Sequence, residues 1–280
     1  MSFIVDAFEP AFMQRALIGS LLAIVASSLV GTWVVLRGLA FLGDALAHGV
    51  IPGIALAVLF GYNLFLGALV AAVVMTGLIT FVSNRTVISD DTSIGLLFVG
   101  MLSLGVVIVS TAGSFRTDVT AILFGDALGV SRSDVRNQFI ATAFVVICTV
   151  LLYRPFLAST FNETKAATLG MRPKLTQAAL LGLLSVSIVS SFQTIGTLLV
   201  FGLIVAPPAT ASLLVRRVVP IMLLSMALGA LAAIAGLLVS FHYGTAGGAT
   251  ISGLCVLEFF LVLVARLVKG RLGASNQNRR

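Results

Sequence analysis

Leu64-Phe65-Leu66-Gly67-Ala68-Leu69-Val70-Ala71-Ala72-Val73-Val74-Met75-Thr76-Gly77-Leu78-Ile79-Thr80-Phe81 decides the fold class. No side chain in this run is charged, and only Thr76 and Thr80 are polar. A hydrocarbon slab about 30 Å thick is crossed by roughly 20 apolar residues in a helix. Without water, each backbone N–H and C=O must be satisfied within the segment or around a closed barrel. Barrel strands alternate apolar and polar residues. This run is apolar throughout, so it predicts a membrane-spanning helix.

Working outward, the same pattern recurs along the 280 residues. Nine spans are read, at 13–36, 39–61, 64–83, 94–112, 135–153, 177–194, 196–215, 221–241 and 249–268. Hydrophobic residues make up 59% of the chain, charged residues 10%, and mean hydropathy is +1.15. Soluble domains carry about 25% charged residues, so a soluble globular fold is excluded, and disorder with it. The expectation is an all-α polytopic membrane protein of eight or nine helices, a single domain over 1–280. Its longer connections are 113–134 and 154–176, and a small polar tail covers 270–280. Cys148 and Cys255 both lie in apolar runs and read as packing residues, not as a disulfide or thiolate site. Met1–Pro10 carries Asp6 and Glu9 and no basic residue, which is the wrong start for a cleaved signal peptide.

The net charge of +7 marks a membrane side rather than nucleic-acid binding. With 154–176 on the cytoplasmic side, alternation outward puts thirteen of the seventeen Lys and Arg residues at cytoplasmic ends; only Arg15, Arg116, Arg132 and Arg136 fall outside. The C-terminus is then cytoplasmic and, with nine spans, the N-terminus is outside. Asp118, Asp126 and Asp134 fall in the outer connection. Val119–Phe124, within it, is too short to span and reads as a re-entrant or gate segment, or as a helix lying on the surface.

Ionisable residues inside a bilayer are costly and call for a reason. The second span holds Gly43-Asp44-Ala45-Leu46-Ala47-His48-Gly49-Val50-Ile51-Pro52-Gly53. Asp44 and His48 are four apart and share one helix face. A carboxylate and an imidazole so spaced can both ligate one divalent transition metal, or simply satisfy each other as buried polar groups. Two ligands from one chain bind weakly. A two-fold dimer would supply the pair twice around an axial site. Ala45, Gly49, Gly53, Ala57 and Gly61 form a small-residue stripe, offset by one position, against which another helix can pack closely. Pro52 removes a backbone donor and can kink the span just past His48.

Glu258 in the ninth span reads as the partner of a neighbouring helix or as a pathway residue. His242, at the outer end of the eighth, reads as an interfacial histidine or an early metal contact. Ser185, Ser187, Ser190, Ser191 and Thr194 line the sixth span and are assigned no chemistry. In the 154–176 connection, Thr160–Gly170 predicts a short amphipathic helix, capped by Asn162 or Thr160 and ended by Gly170, able to dock on a soluble partner. No phosphate-binding loop of the form G-x-x-x-x-G-K-[ST] is present, nor an H-E-x-x-H or G-x-S-x-G motif. That route to ATP hydrolysis is therefore closed to this chain, and a membrane protease or esterase is not expected.

Several blocks, in order, carry a resemblance. They are Phe12-Met13-Gln14-Arg15-Ala16-Leu17, Leu36-Arg37-Gly38-Leu39-Ala40-Phe41-Leu42-Gly43-Asp44-Ala45-Leu46-Ala47-His48, Asp91-Thr92-Ser93-Ile94-Gly95, Leu123–Ser131 and Gly196–Ala211, with Pro207-Pro208 in the last. Through them the chain resembles the membrane subunits of the zinc/manganese/iron permease family of ABC importers, over nearly its whole length. The resemblance implies the fold of the cobalamin/siderophore-type importers, a homodimer in the cytoplasmic membrane of a prokaryote, two ATPase subunits below and an extracytoplasmic metal-binding solute protein above. It puts Asp44 and His48 on the metal path. It makes 162–170 the coupling helix, with Asn162, Glu163, Ala166 and Gly170 facing the ATPase. Family members often carry Asp where Asn162 stands and Asn where Asp126 stands, and the acidic residue usual near Gly244–Gly248 is missing.

The function expected is ATP-driven import of a divalent metal, Mn²⁺ or Zn²⁺ before Fe²⁺, with ATP hydrolysis on a separate subunit. No permanently bound cofactor is expected; the metal is cargo. Two alternatives stand beside it: a permease for a larger metal chelate such as haem, cobalamin or a siderophore, and a proton-coupled secondary transporter using Asp44 and Glu258 as carriers.

Overall fold

The computed structural model describes residues 7–85, 90–111, 129–195 and 197–277. Among these the regular elements are all helical. In chain order they are α1 Ala11–Leu36, α2 Ala40–Gly49, α3 Ile51–Leu59, α4 Leu64–Arg85, α5 Asp90–Thr111, α6 Arg132–Leu151, α7 Tyr153–Phe161, α8 Glu163–Thr168, α9 Pro173–Ile195, α10 Thr197–Leu214, α11 Val218–Tyr243 and α12 Gly247–Gln277. Among the described residues eight segments are long and apolar enough to cross a membrane; Val200–Leu214, in the segment read as the seventh span, is a shorter apolar helix. Val119–Phe124, Asp118 and Asp126 lie outside the described residues.

The second span is two helices. α2 and α3 meet at Val50, whose backbone stays near helical values. The cause is local: Pro52 has no N–H to offer the carbonyl of His48 four residues back. At the other end of the chain, the expected polar tail is not a separate element, because α12 continues through it to Gln277. Past the bilayer, water and the helix itself can satisfy that backbone, and Ala, Leu, Lys, Arg and Gln all favour helix.

α1 is the central post. It packs on α6, α9, α10 and α11, with Met13, Ile24 and Trp33 fully buried. α2 lies against α5 and α10, α3 against α4 and α5, and α12 against α10 and α11. The outer faces of α5 and α12 are apolar and open, as at Leu96, Val99, Leu257 and Phe260. In lipid such faces are at home, and helices associate through close packing rather than through exclusion of water.

That packing is seen at the small-residue stripe. Ala45, Gly49 and Ala57 are buried. A methyl group added at Gly53 would run into the Gly67 carbonyl and the Ala71 side chain of α4, and one added at Gly49 would meet Met75. Gly61 does not belong to this set. The helix has ended at Leu59, a methyl group at Gly61 would meet nothing, and φ there is +69°. The Gly61 and Tyr62 amides bond back to Val58 and Ala57, so the residue closes the helix in a Schellman turn. The four-residue spacing of the stripe runs past the helix whose face it describes.

α6 begins two residues earlier than the outer connection was expected to end. Ser131 and Asp134 form a reciprocal capping box around its first turn. Arg15 of α1 donates from Nε to the Val130 carbonyl at 2.8 Å, which fastens this corner.

Candidate functional site

In α2 only Ala40, Phe41, Asp44 and His48 are not buried. The two ionisable residues therefore stand on the single open face of a helix whose other faces are packed. The Asp44 side chain keeps 30% of its surface accessible and that of His48 17%. Their i,i+4 spacing brings Asp44 Oδ1 to 3.6 Å from His48 Nδ1. The His48 Nδ1 is also 3.1 Å from the backbone carbonyl oxygen of Asp44.

Two ligation modes follow from these distances. When Nδ1 carries the proton it donates to the Asp44 carbonyl, which orients the ring and leaves the Nε2 lone pair for a metal. When Nε2 carries it, Nδ1 and Oδ1 can chelate one ion between them. Ligands about 2.1 Å from a tetrahedral ion are separated by about 3.4 Å, close to the observed gap. Phe98 of α5 holds the imidazole edge-on, ring centres 5.2 Å apart, and in turn touches Phe41 at 6.1 Å. The imidazole thus has an aromatic wall on one side, supplied by a residue that sequence spacing did not single out. Pro52 leaves the His48 carbonyl without an i+4 amide, and the Val50 amide turns back to that carbonyl instead.

His242 and Glu258 do not join them: among the described residues no three His, Cys, Asp or Glu side chains come together in a group that could hold a metal. His242 is exposed at the end of α11, its Nδ1 2.9 Å from the carbonyl of Leu238. Oε2 of Glu258 is buried in α12 with no hydrogen-bond partner among the described residues. Among the described residues that oxygen thus makes no pairing with a neighbouring helix.

The connection after α6 holds two helices, α7 and α8, where the sequence predicts one over Thr160–Gly170, and Thr160 belongs to α7. The Asn162 side chain accepts from the Lys165 amide at 2.8 Å and caps α8. At the far end Gly170 adopts φ +74°, and the Gly170 and Met171 amides close a second Schellman turn onto Ala167 and Ala166. Ala166 is buried, while Phe161 and Leu169 are 68% and 69% exposed. Arg154, Phe161, Asn162, Lys165 and Leu169 line an open groove beside α8. Basic and apolar groups thus share one outward surface, and Ala166 faces inward rather than toward a partner.

The family model described as the ABC 3 transport family matches residues 9–266. The chain belongs to the ABC 3 transport family. Over 272 residues it is 34% identical to the manganese transport system membrane protein MntC of Listeria monocytogenes, covering 97% of each chain. It is 37% identical to the manganese import system permease protein ScaB of Streptococcus parasanguinis, covering 90% of this chain and 89% of that one. Among solved structures it is similar to PsaBC from Streptococcus pneumoniae in complex with Fab, at a TM-score of 0.83 and 30% identity over 92% of this chain and 94% of that one. As an ABC 3 permease the chain is a multi-pass membrane transport subunit, with the all-helical fold expected from its apolar runs.

Proposed function

We propose that this chain is the membrane subunit of an ATP-driven importer of a divalent transition metal, with Mn²⁺ the leading cargo and Zn²⁺ and Fe²⁺ behind it. The observation that carries the reading is the Asp44–His48 pair, 3.6 Å apart and open on the one uncovered face of α2. A carboxylate and an imidazole facing hydrocarbon would be costly. A second copy of the chain removes that cost by covering the face and bringing its own pair, so that two carboxylates and two imidazoles surround the ion. Oxygen and nitrogen donors of this kind suit Mn²⁺ and Zn²⁺. The relatives named for manganese transport favour Mn²⁺.

The outward surface of α8, with the groove beside it, is where a cytoplasmic ATPase subunit docks, through Asn162, Glu163 and Gly170. That assignment makes 154–176 and the C-terminus cytoplasmic and leaves the outer mouth for a solute-binding protein. Nucleotide binding and hydrolysis in the partner move α8 and open the path alternately to either side. The ion is held loosely enough to leave again.

Asp44→Asn tests the reading. The variant keeps the shape and the helix but loses the negative ligand. It is expected to assemble with its partners and to abolish Mn²⁺ uptake into cells or vesicles. His48→Gln should behave the same way. Uptake at the wild-type rate by Asp44→Asn would remove the pair from the path.

A further inference from the structure

Arg37 stands at the inner end of α1, where a cation opposes the negative end of the helix dipole. An arginine at that depth would ordinarily reach outward to water. Here the side chain turns inward and is half-buried. Its Nε donates to Thr160 Oγ1 at 2.9 Å, and its Nη2 reaches the Phe156 carbonyl at 3.5 Å. Both acceptors lie on α7, about 120 residues further along the chain. Thr160 is itself held, donating to the same Phe156 carbonyl at 2.7 Å. One turn back on α1, the buried Trp33 indole packs against Tyr153 at 5.7 Å and Phe156 at 5.6 Å. Burial pulls the proton affinity of Arg37 down, and Glu163 in the first turn of α8 pulls it up. The guanidinium remains charged in any case.

What lies beyond Arg37 gives this clamp its consequence. The Arg37, Gly38 and Leu39 amides bond back to Trp33, Val35 and Val34, a Schellman turn with Gly38 at φ +69°. Two backbone hydrogen bonds close that turn, and α2 starts at Ala40. Asp44 follows only seven residues after Arg37. One side chain thus joins the root of the helix carrying Asp44 and His48 to the segment that ends at the Asn162 cap of α8.

We propose that Arg37 is a positioning residue that couples displacement of α7–α8 to α2, so that the energy-transducing segment and the ion path move together. The inference rests on the transport reading above. Without the clamp, α7–α8 can still be pushed by a partner, but the push is not delivered to the α1–α2 turn.

The test uses the full complex with its ATPase and binding protein in liposomes, with Mn²⁺ uptake and ATP hydrolysis measured in the same vesicles. Arg37→Ala is expected to keep hydrolysing ATP while the Mn²⁺ moved per ATP falls about tenfold or more, because both hydrogen bonds from a charged group to α7 are lost. Two milder variants guard against a folding failure. Arg37→Lys keeps the charge and loses the two-acceptor fork, and Thr160→Val keeps the shape and loses the Nε acceptor. Each should lower Mn²⁺ per ATP about threefold or more. Wild-type stoichiometry in both overturns the inference. So does a loss of uptake in which hydrolysis falls in proportion, because that is what a purely structural staple would do. Asp44→Asn in the same vesicles separates the two readings. If it abolishes uptake while the Arg37 and Thr160 variants stay coupled, only the clamp fails. If it transports normally, the ion-path reading fails.

Discussion

Gly53 lies one turn below His48, where α3 and α4 touch backbone to backbone. In Gly53→Ala the new methyl group meets the Gly67 carbonyl oxygen and carbon and the Ala71 Cβ. None of these is the end of a flexible side chain, so the helices must separate. Overpacking of this kind costs about 1–3 kcal/mol, against a helix-propensity gain of roughly 1 kcal/mol for Ala over Gly. The net expectation is a loss of up to about 2 kcal/mol, toward the upper end because backbone is what is met. Gly77, on the same α4, is the control. A methyl group there meets nothing within 4 Å, so Gly77→Ala should gain about 0.5–1 kcal/mol. The two alanines therefore differ by about 2–3 kcal/mol, or roughly 4–10 °C in melting temperature for a chain of this size. Thermal loss of the monodisperse detergent-solubilised protein, followed by size-exclusion chromatography, reads this directly. Gly53→Ala melting at or above Gly77→Ala would refute the close approach of α3 and α4. The same displacement shifts the lower half of the broken span, so Gly53→Ala should also transport less Mn²⁺ than Gly77→Ala.

Gly61→Ala should cost about 1–2 kcal/mol through left-handed backbone strain, with Gly61→Asn milder; equal melting of Gly61→Ala and wild type would refute that strain. Asn162→Ala should lose about 1 kcal/mol of cap energy and weaken ATPase binding in a pull-down, whereas Asn162→Asp keeps the cap and should bind normally. Trp33→Ala empties the fully buried site against α7 and should cost about 3–5 kcal/mol, seen as a large drop in melting temperature, while Trp33→Phe should recover most of it.

Legibility in the sequence tracked the range of each interaction. The Asp44–His48 pair was readable because i,i+4 geometry is a property of any helix, and the structure needed only to keep them on one side. The caps at Asn162 and Gly170 were readable for the same reason: each satisfies backbone groups within five residues of itself. The capping box of Ser131 and Asp134 was equally local. It was missed because Asp134 was grouped with the acidic residues of the outer connection, although S-x-x-D before an apolar run is the signal. Gly61 was misassigned because spacing alone does not tell where a helix ends. The resemblance puts Ala166 among the partner-facing residues, and a six-residue helix has too little periodicity to show which side is packed.

The sequence by itself determined that the chain crosses a membrane as helices and that one span carries a carboxylate and an imidazole in register. These follow from composition and from covalent periodicity, which every copy of the chain carries whether folded or not. Only the tertiary structure decided that α2 leaves its Asp44–His48 face uncovered, that Phe98 walls the imidazole, that Gly53 touches Gly67, and that Arg37 grips Thr160 across 123 positions. Those contacts join segments far apart in the chain, so they depend on how the helices pack around α1, and no local spacing encodes that arrangement.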